Sequence, residues 1–210
     1  VGHKCYQIKE FFSNFLQHSY DFTEDLDSGS IDIHNSLEGP KWKISIVDTG
    51  AETGTGGRLK RVAHLLDETF MLTYGDGLSD VDLTQELSFH FMHGRKATVV
   101  AVRPPSRFAV LEIDSSKSVT SFREKPADEV GWINGGFFVL NKSVIDLIDD
   151  DSASWEEKPL VNLASSGELM AFIHNGFWQP IDTLRDKRHC ETLFARREGM
   201  WAKSGASNAT

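Results

Sequence analysis

Apolar positions follow two periods along this chain, and the two alternate. Residues 4–19, KCYQIKEFFSNFLQHS, place Tyr6, Phe11, Phe12, Phe15 and Leu16 on one side of a helix. Residues 21–36, DFTEDLDSGSIDIHNS, are polar and turn-rich with short strand-like pieces. At 41–50, KWKISIVDTG, Trp42, Ile44 and Ile46 alternate with Lys43 and Ser45, which predicts a half-buried strand. The loop AETGTGG leads into a helix at 56–66, where Leu59, Val62, Ala63 and Leu66 share a face. TFMLTYGD (69–76) predicts a short buried strand, DVDLTQELSFHFMHG a helix ending at Gly94, and KATVVAVR another buried strand. Helix and strand alternate, which favours an α/β sheet with parallel strands.

The second half changes texture. FAVLEID and SVTSFREKP read as successive strands joined by the polar SSK, a hairpin rather than a crossover. INGGFFVLN is a strand followed by the helix KSVIDLIDD. EEKPLVNLASSG is a further helix, ELMAFIH a strand, and DTLRDKRHCETLFARRE a closing helix. These elements fit one domain over 1–197, with 198–210 a disordered tail ending in KSGASNAT.

Charge narrows the possible partners. The chain has 210 residues, 22 basic and 31 acidic, and a formal charge of −9. That balance argues against a long nucleic acid, which needs a basic face, but leaves a mononucleotide open. No apolar run is long enough to cross a bilayer. The two cysteines, Cys5 and Cys190, offer neither a disulfide framework nor zinc spacing, so a reduced cytoplasmic setting is the simplest reading.

Candidate chemistry sits where strands end. In YGDG, Asp76 is flanked by Gly75 and Gly77 after an apolar run. Ligands of open α/β sheets bind outside the carboxyl ends of strands, yet a turn aspartate bonding its own backbone would read the same way. Asp182, in GFWQPIDTLRD, follows Pro180 and precedes a helix, where it is equally an N-cap. Two carboxylates on separate loops of one crevice would suit magnesium, which keeps its other positions for water and phosphate. TGTGGRLKRV carries Arg58, Lys60 and Arg61 into a helix N-terminus that favours anions, but it lacks the ending of a P-loop and reads equally as a loop before a helix with a solvated basic face. In FREKP, Glu124 and Lys125 are adjacent and point to opposite faces if the strand continues. His90 and His93 lack a third ligand and read as surface residues. The acid run DLIDDDS lacks the glycine of a calcium loop.

The order of DTG…TGGRLKRV, TYGDG, FREKP, INGGFFVLNKSVIDLI, GELMAF and GFWQPIDTLRD resembles the sugar nucleotidyltransferases. Within them it closely resembles enzymes that transfer a cytidylyl group from CTP to glucose 1-phosphate, from about Cys5 to Leu193. The resemblance implies a Rossmann-like mixed sheet, Mg²⁺ as cofactor, CDP-glucose as product and self-association into a homo-oligomer. It implies that Asp76 and Asp182 hold the metal, and that Thr53, Arg58 and Gly75 lie at the nucleotide. Glu124 and Lys125 would meet sugar hydroxyls and sugar phosphate, with Asn134 and Gly135 in the sugar-side segment. Two departures stand out. Residues 107–109 read RFA where RFG is common, and the family's opening strand, GGxGTR loop and KPM lysine are not in these 210 residues. The chain is therefore expected to be a fragment starting near the end of the second strand, and inactive by itself.

Overall fold

The computed structural model describes residues 1–2, 4–34, 42–104, 109–113, 117–124 and 131–196, with backbone alone for 109–113 and 120–124. The expected tail from 198 onward lies outside these. The described residues belong to two compact units, one of 1–65 with 148–159, the other formed by the rest.

In the first unit the expected opening helix is broken into α1 (Cys5–Ser13) and α2 (Phe15–Ser19). The break is at Asn14, whose backbone leaves helical values at φ −103° and ψ 13°, while its side-chain amide and its N–H both donate to the Glu10 carbonyl, at 2.9 and 3.0 Å. No residue of either helix is buried, and Tyr6 is 61% exposed. The rings pack on one another instead, Phe11 against Phe12 at 5.1 Å and Phe15 against Trp42 at 6.4 Å between centroids. Strands β1 (Phe22–Asp25) and β2 (Ser30–Ile33) form an antiparallel hairpin. The strand expected at 41–50 is not formed over the described residues 42–50. Alternation alone does not make a strand without a neighbour to pair with. Here the Val1 ammonium donates to the Val47 carbonyl (2.7 Å), and the Thr49 N–H to the Val1 carbonyl (3.0 Å).

Helix α3 (Thr55–Arg61) continues into a 3-10 turn at Ala63–Leu65. Gly57 lets it lie on the 151–155 segment, since a Cβ there would sit 2.1 Å from the Asp151 carbonyl oxygen. The acidic run serves this packing. Arg61 meets Asp151 through two hydrogen bonds of 3.0 and 2.6 Å, and Lys60 donates to the Ile148 carbonyl at 2.7 Å.

The second unit holds β3 (Thr69–Thr73), β4 (Gly77–Ser79), α4 (Leu83–His93), β5 (Ala97–Val102), β6 (Ala109–Ile113), β7 (Val119–Glu124) and β8 (Ile133–Asn141). A 3-10 stretch at Lys142–Leu147 stands where an α-helix was expected. Then come α5 (Lys158–Ser165), β9 (Leu169–Ile173), β10 (Trp178–Pro180) and α6 (Leu184–Ala195). Four strands form a sheet in the order β3-β8-β5-β9, where β8 is antiparallel to both neighbours and β5 is parallel to β9. The sheet is mixed, as the resemblance implied, because the chain reaches β8 through the β6–β7 hairpin and not through a crossover helix. Val100, Val102, Phe138, Val139, Leu140 and Val144 are at most 1% exposed and form the core. Each such side chain contributes roughly 1.5–3 kcal/mol relative to exposure. β3 is less buried than expected. Among the described residues it pairs with β8 alone, and Met71 is 43% exposed.

Helix α4 starts at the N-cap Asp82, which accepts from the N–H groups of Thr84 (2.9 Å) and Gln85 (3.0 Å). It ends at Gly94 with φ +65°, a left-handed cap that glycine adopts without penalty. Its inward stripe is polar. His90 is 2% exposed and not a surface residue as its spacing suggested. Its Nε2 meets Asn141 Oδ1 at 3.0 Å and its Nδ1 meets the Thr98 hydroxyl at 2.9 Å. An amide oxygen only accepts, so the proton sits on Nε2 and Thr98 donates to Nδ1. Four residues earlier, Glu86 is fully buried, and among the described residues neither carboxylate oxygen has a hydrogen-bond partner. A cavity of about 110 Å³ adjoins it, lined by Met71, Leu72, Thr73, Leu83, Phe137 and Phe138. Burial pushes the Glu86 carboxyl up to about 7.

Candidate active site

Three segments of the second unit meet at the end of β3. After Thr73, the Tyr74 N–H donates to the Gly136 carbonyl at 3.0 Å, and Gly75 and Asp76 follow before β4 begins. β4 then pairs antiparallel with β10, Gly77 opposite Pro180, Leu78 opposite Gln179 and Ser79 opposite Trp178. The ladder continues one step, because the Ile181 N–H donates to the Asp76 carbonyl at 2.8 Å. Asp76 and Asp182 are thereby brought to the same end of one short ribbon, both with exposed side chains.

Asp182 is not the cap of α6. Thr183 is, in a capping box where its hydroxyl accepts from the Asp186 N–H (3.2 Å) and Asp186 accepts from the Thr183 N–H (3.0 Å). The alternative reading of Asp182 therefore falls away, since the residue after it does that work. Gly75 is exposed, and a Cβ there would meet nothing within 4 Å, so open space adjoins its backbone.

The third segment is the start of β8. Asn134 donates to the Tyr74 hydroxyl (3.2 Å) and accepts from the Gly136 N–H (2.8 Å). The Gly135 carbonyl accepts from the Trp178 indole at 2.8 Å, which ties the ribbon to the sheet. Gly136 has φ +79°, and a Cβ there would come within 2.8 Å of the Tyr74 ring. Tyr74 and Trp178 are thus organising residues that the sequence did not single out. The available signal was that a half-buried Trp or Tyr needs an acceptor or donor for its polar tip.

The remaining expected residues are placed as follows. Glu124 ends β7 opposite Ala109 in register, and Lys125 lies outside the described residues. Thr53 and Arg58 belong to the first unit. The Thr53 hydroxyl donates to the Thr49 carbonyl. Arg58 donates to the Thr49 hydroxyl (2.8 Å) and to the carbonyls of Gly50 (2.8 Å) and Ala51 (3.1 Å). Its guanidinium therefore shapes the 49–51 loop.

Among the described residues no group of three or more His, Cys, Asp or Glu is arranged to hold a metal ion. Two exposed carboxylates on one ribbon end are instead a sparse set of hard oxygen donors. That fits an ion such as Mg²⁺, which is bound through one or two carboxylates and shared with waters and phosphates.

A family profile described as nucleotidyl transferase matches residues 19–186. A glucose-1-phosphate cytidylyltransferase of Salmonella typhi is 50% identical over 202 residues, covering 95% of this chain and 78% of that protein. A mannose-1-phosphate guanyltransferase of Candida albicans is 33% identical over 141 residues, covering 63% of this chain and 39% of that protein. Among solved structures, HddC from Yersinia pseudotuberculosis complexed with GMP-PN superposes with a TM-score of 0.58 at 19% identity, covering 92% of this chain and 76% of that one. That last likeness concerns the fold. With the family match spanning most of the chain, this protein belongs to the nucleotidyl transferases.

Proposed function

We propose that the protein transfers a cytidylyl group from CTP to glucose 1-phosphate, giving CDP-glucose and pyrophosphate. The observation that carries this reading is that Asp76 and Asp182 stand at the same end of the β4–β10 ribbon, where Asp76 bonds Ile181, beside the open backbone of Gly75. The 50% identity to a cytidylyltransferase supports the choice of base and sugar.

A phosphate oxygen of glucose 1-phosphate attacks the α-phosphorus of CTP in line, and the bond to the pyrophosphate oxygen breaks. The attacking group is already ionised, so no strong base is needed, and no covalent enzyme intermediate forms. Asp76 and Asp182 would hold Mg²⁺, which when bound supplies charge neutralisation between two approaching anions. Lys125 is proposed for the sugar phosphate, Glu124 for sugar hydroxyls, and Asn134 and Gly135 for the sugar side. Thr53, Arg58 and Gly75 are proposed for the nucleotide, Arg58 through the loop that it holds. We further propose a cytoplasmic homo-oligomer that supplies sugar nucleotide for bacterial surface polysaccharide, including O antigen. Among the described residues no helix is long and apolar enough to cross a membrane.

The test is turnover of glucose 1-phosphate by the protein carrying this chain, with CTP, UTP or dTTP as donor. CDP-glucose formation dominated by CTP supports the reading. Preference for UTP or dTTP would assign another base, and ligand binding without turnover would identify a non-catalytic member of the family.

A further inference from the structure

The ribbon that carries Asp76 and Asp182 is only three residues long on each side. A pair of such short strands does not hold its geometry in water without support. One support is the Trp178–Gly135 bond, whose indole nitrogen and carbonyl oxygen lie next to Gly77. The other lies at the far end, where β4 runs out into Asp80 and β10 is entered from Phe177.

Several bonds converge on the Phe177 carbonyl. It accepts from the Asp80 N–H at 3.1 Å and the Ser79 hydroxyl at 2.9 Å, and His174 Nε2 stands 3.2 Å away. A carbonyl oxygen only accepts, so the ring proton is on Nε2 and points at Phe177. The same Nε2 is 2.9 Å from Asp80 Oδ1. That carboxylate oxygen is buried and has no hydrogen-bond partner among the described residues, so the His174 ring is a polar group within 2.9 Å of it. Gly176 closes over the pair, since a Cβ there would come 2.5 Å from Asp80 Oδ1 and 2.7 Å from His174 Cε1. His174 itself is fixed to the main sheet. It follows β9, and its N–H donates to the Ala101 carbonyl of β5 at 3.0 Å. Its side chain and that of Asp80 are 12% and 19% exposed.

We infer that His174, with Asp80, is a positioning residue that fixes the β4–β10 ribbon to the sheet and so sets the distance between the Asp76 and Asp182 carboxylates. The inference rests on the proposal that those two carboxylates share a metal ion. A ring held by the sheet through its backbone, and bonded to the ribbon through Nε2, transmits the sheet's rigidity to the opposite end. Side chains outside the ligand set commonly change metal affinity about 10–100-fold when removed.

Mn²⁺ serves as the probe, with affinity and electron paramagnetic resonance line shape measured on the purified protein and folding checked by circular dichroism. His174→Phe keeps the ring and deletes the donor. It is expected to weaken Mn²⁺ binding by about tenfold and to broaden the bound-ion spectrum. His174→Gln, which offers an N–H near the Nε2 position, is expected to recover affinity to within about threefold of the parent. Asp80→Asn keeps the shape without the charge and is expected to weaken binding by about threefold, which serves if His174→Phe does not fold. Asp76→Asn and Asp182→Asn are the controls. If they abolish Mn²⁺ binding while the folded His174 and Asp80 variants bind with the parent affinity and spectrum, the positioning role is overturned and the metal site stands. If they leave binding unchanged, the metal assignment fails and the positioning role goes with it.

Discussion

Ile181 gives its backbone N–H to the carbonyl of Asp76 at 2.8 Å, and Asp182 is the next residue along. One main-chain bond therefore places the backbones of Asp76 and Asp182 at the same end of the ribbon. Neither side chain is packed in the core, so each can be changed with little effect on folding.

Asp76→Asn and Asp182→Asn are each expected to remove metal-dependent turnover while the unfolding midpoint stays close to the parent. Calorimetry beside a pyrophosphate-release assay checks both. Near-normal rates under saturating substrate in either variant would remove that residue from the metal site.

Lys125→Ala is expected to raise the KM for glucose 1-phosphate far more than that for CTP. A charge-assisted contact to a phosphate contributes roughly 1.5–3 kcal/mol. Equal weakening of both substrates would place Lys125 elsewhere.

Glu86 should impose a pH dependence on stability. Burial raises its folded pKa from 4.5 to about 7, so between those values the folded state holds a proton that the unfolded state has released. Stability is then full below about pH 4.5 and falls as pH rises towards about 7, by on the order of 3 kcal/mol. Urea unfolding of the parent and of Glu86→Gln across this range checks it. The variant should lose this downward slope, and identical profiles would show that Glu86 does not titrate there.

Two glycines of the site should separate stability from binding. Gly136→Ala forces φ +79° on a residue with a Cβ directed at Tyr74, and should cost roughly 1–3 kcal/mol in denaturant unfolding. Gly75→Ala adds a methyl to open space, so its unfolding should match the parent while nucleotide affinity, read by titration, declines. A stability loss in Gly75→Ala as large as that of Gly136→Ala would contradict the geometry.

Much of the sheet could be read from the chain. β5 and β8 are long apolar runs, and the core they form follows from composition alone. The 41–50 segment has the alternation of a strand, yet no described neighbour supplies its ladder, and pairing is a property of two segments. β4 and β10 are three residues each, too short for any period to register. His90 looked like a surface residue because its partners, Thr98 and Asn141, are distant or on another element. Glu86 shares its inward stripe, where the helix puts polar groups towards the sheet and leaves Met92 78% exposed. Asp76 and Asp182 are candidates from the family pattern, and the structure adds that both stand at one end of the ribbon. That Thr183 and not Asp182 caps α6 needed coordinates, because both residue types are good caps.

The Asp76–Ile181 bond joins positions roughly a hundred residues apart, and closing a loop of that length is entropically unfavourable until the intervening strands are in place. On this ground β10 is expected to find β4 only after β8 and β5 have assembled, which would make the ribbon one of the later parts of the second unit to form. High contact order of this kind slows folding. A chain stalled partway through folding would lack the Asp76–Ile181 bond, and protection of the Ile181 amide from hydrogen exchange would report that these contacts have closed.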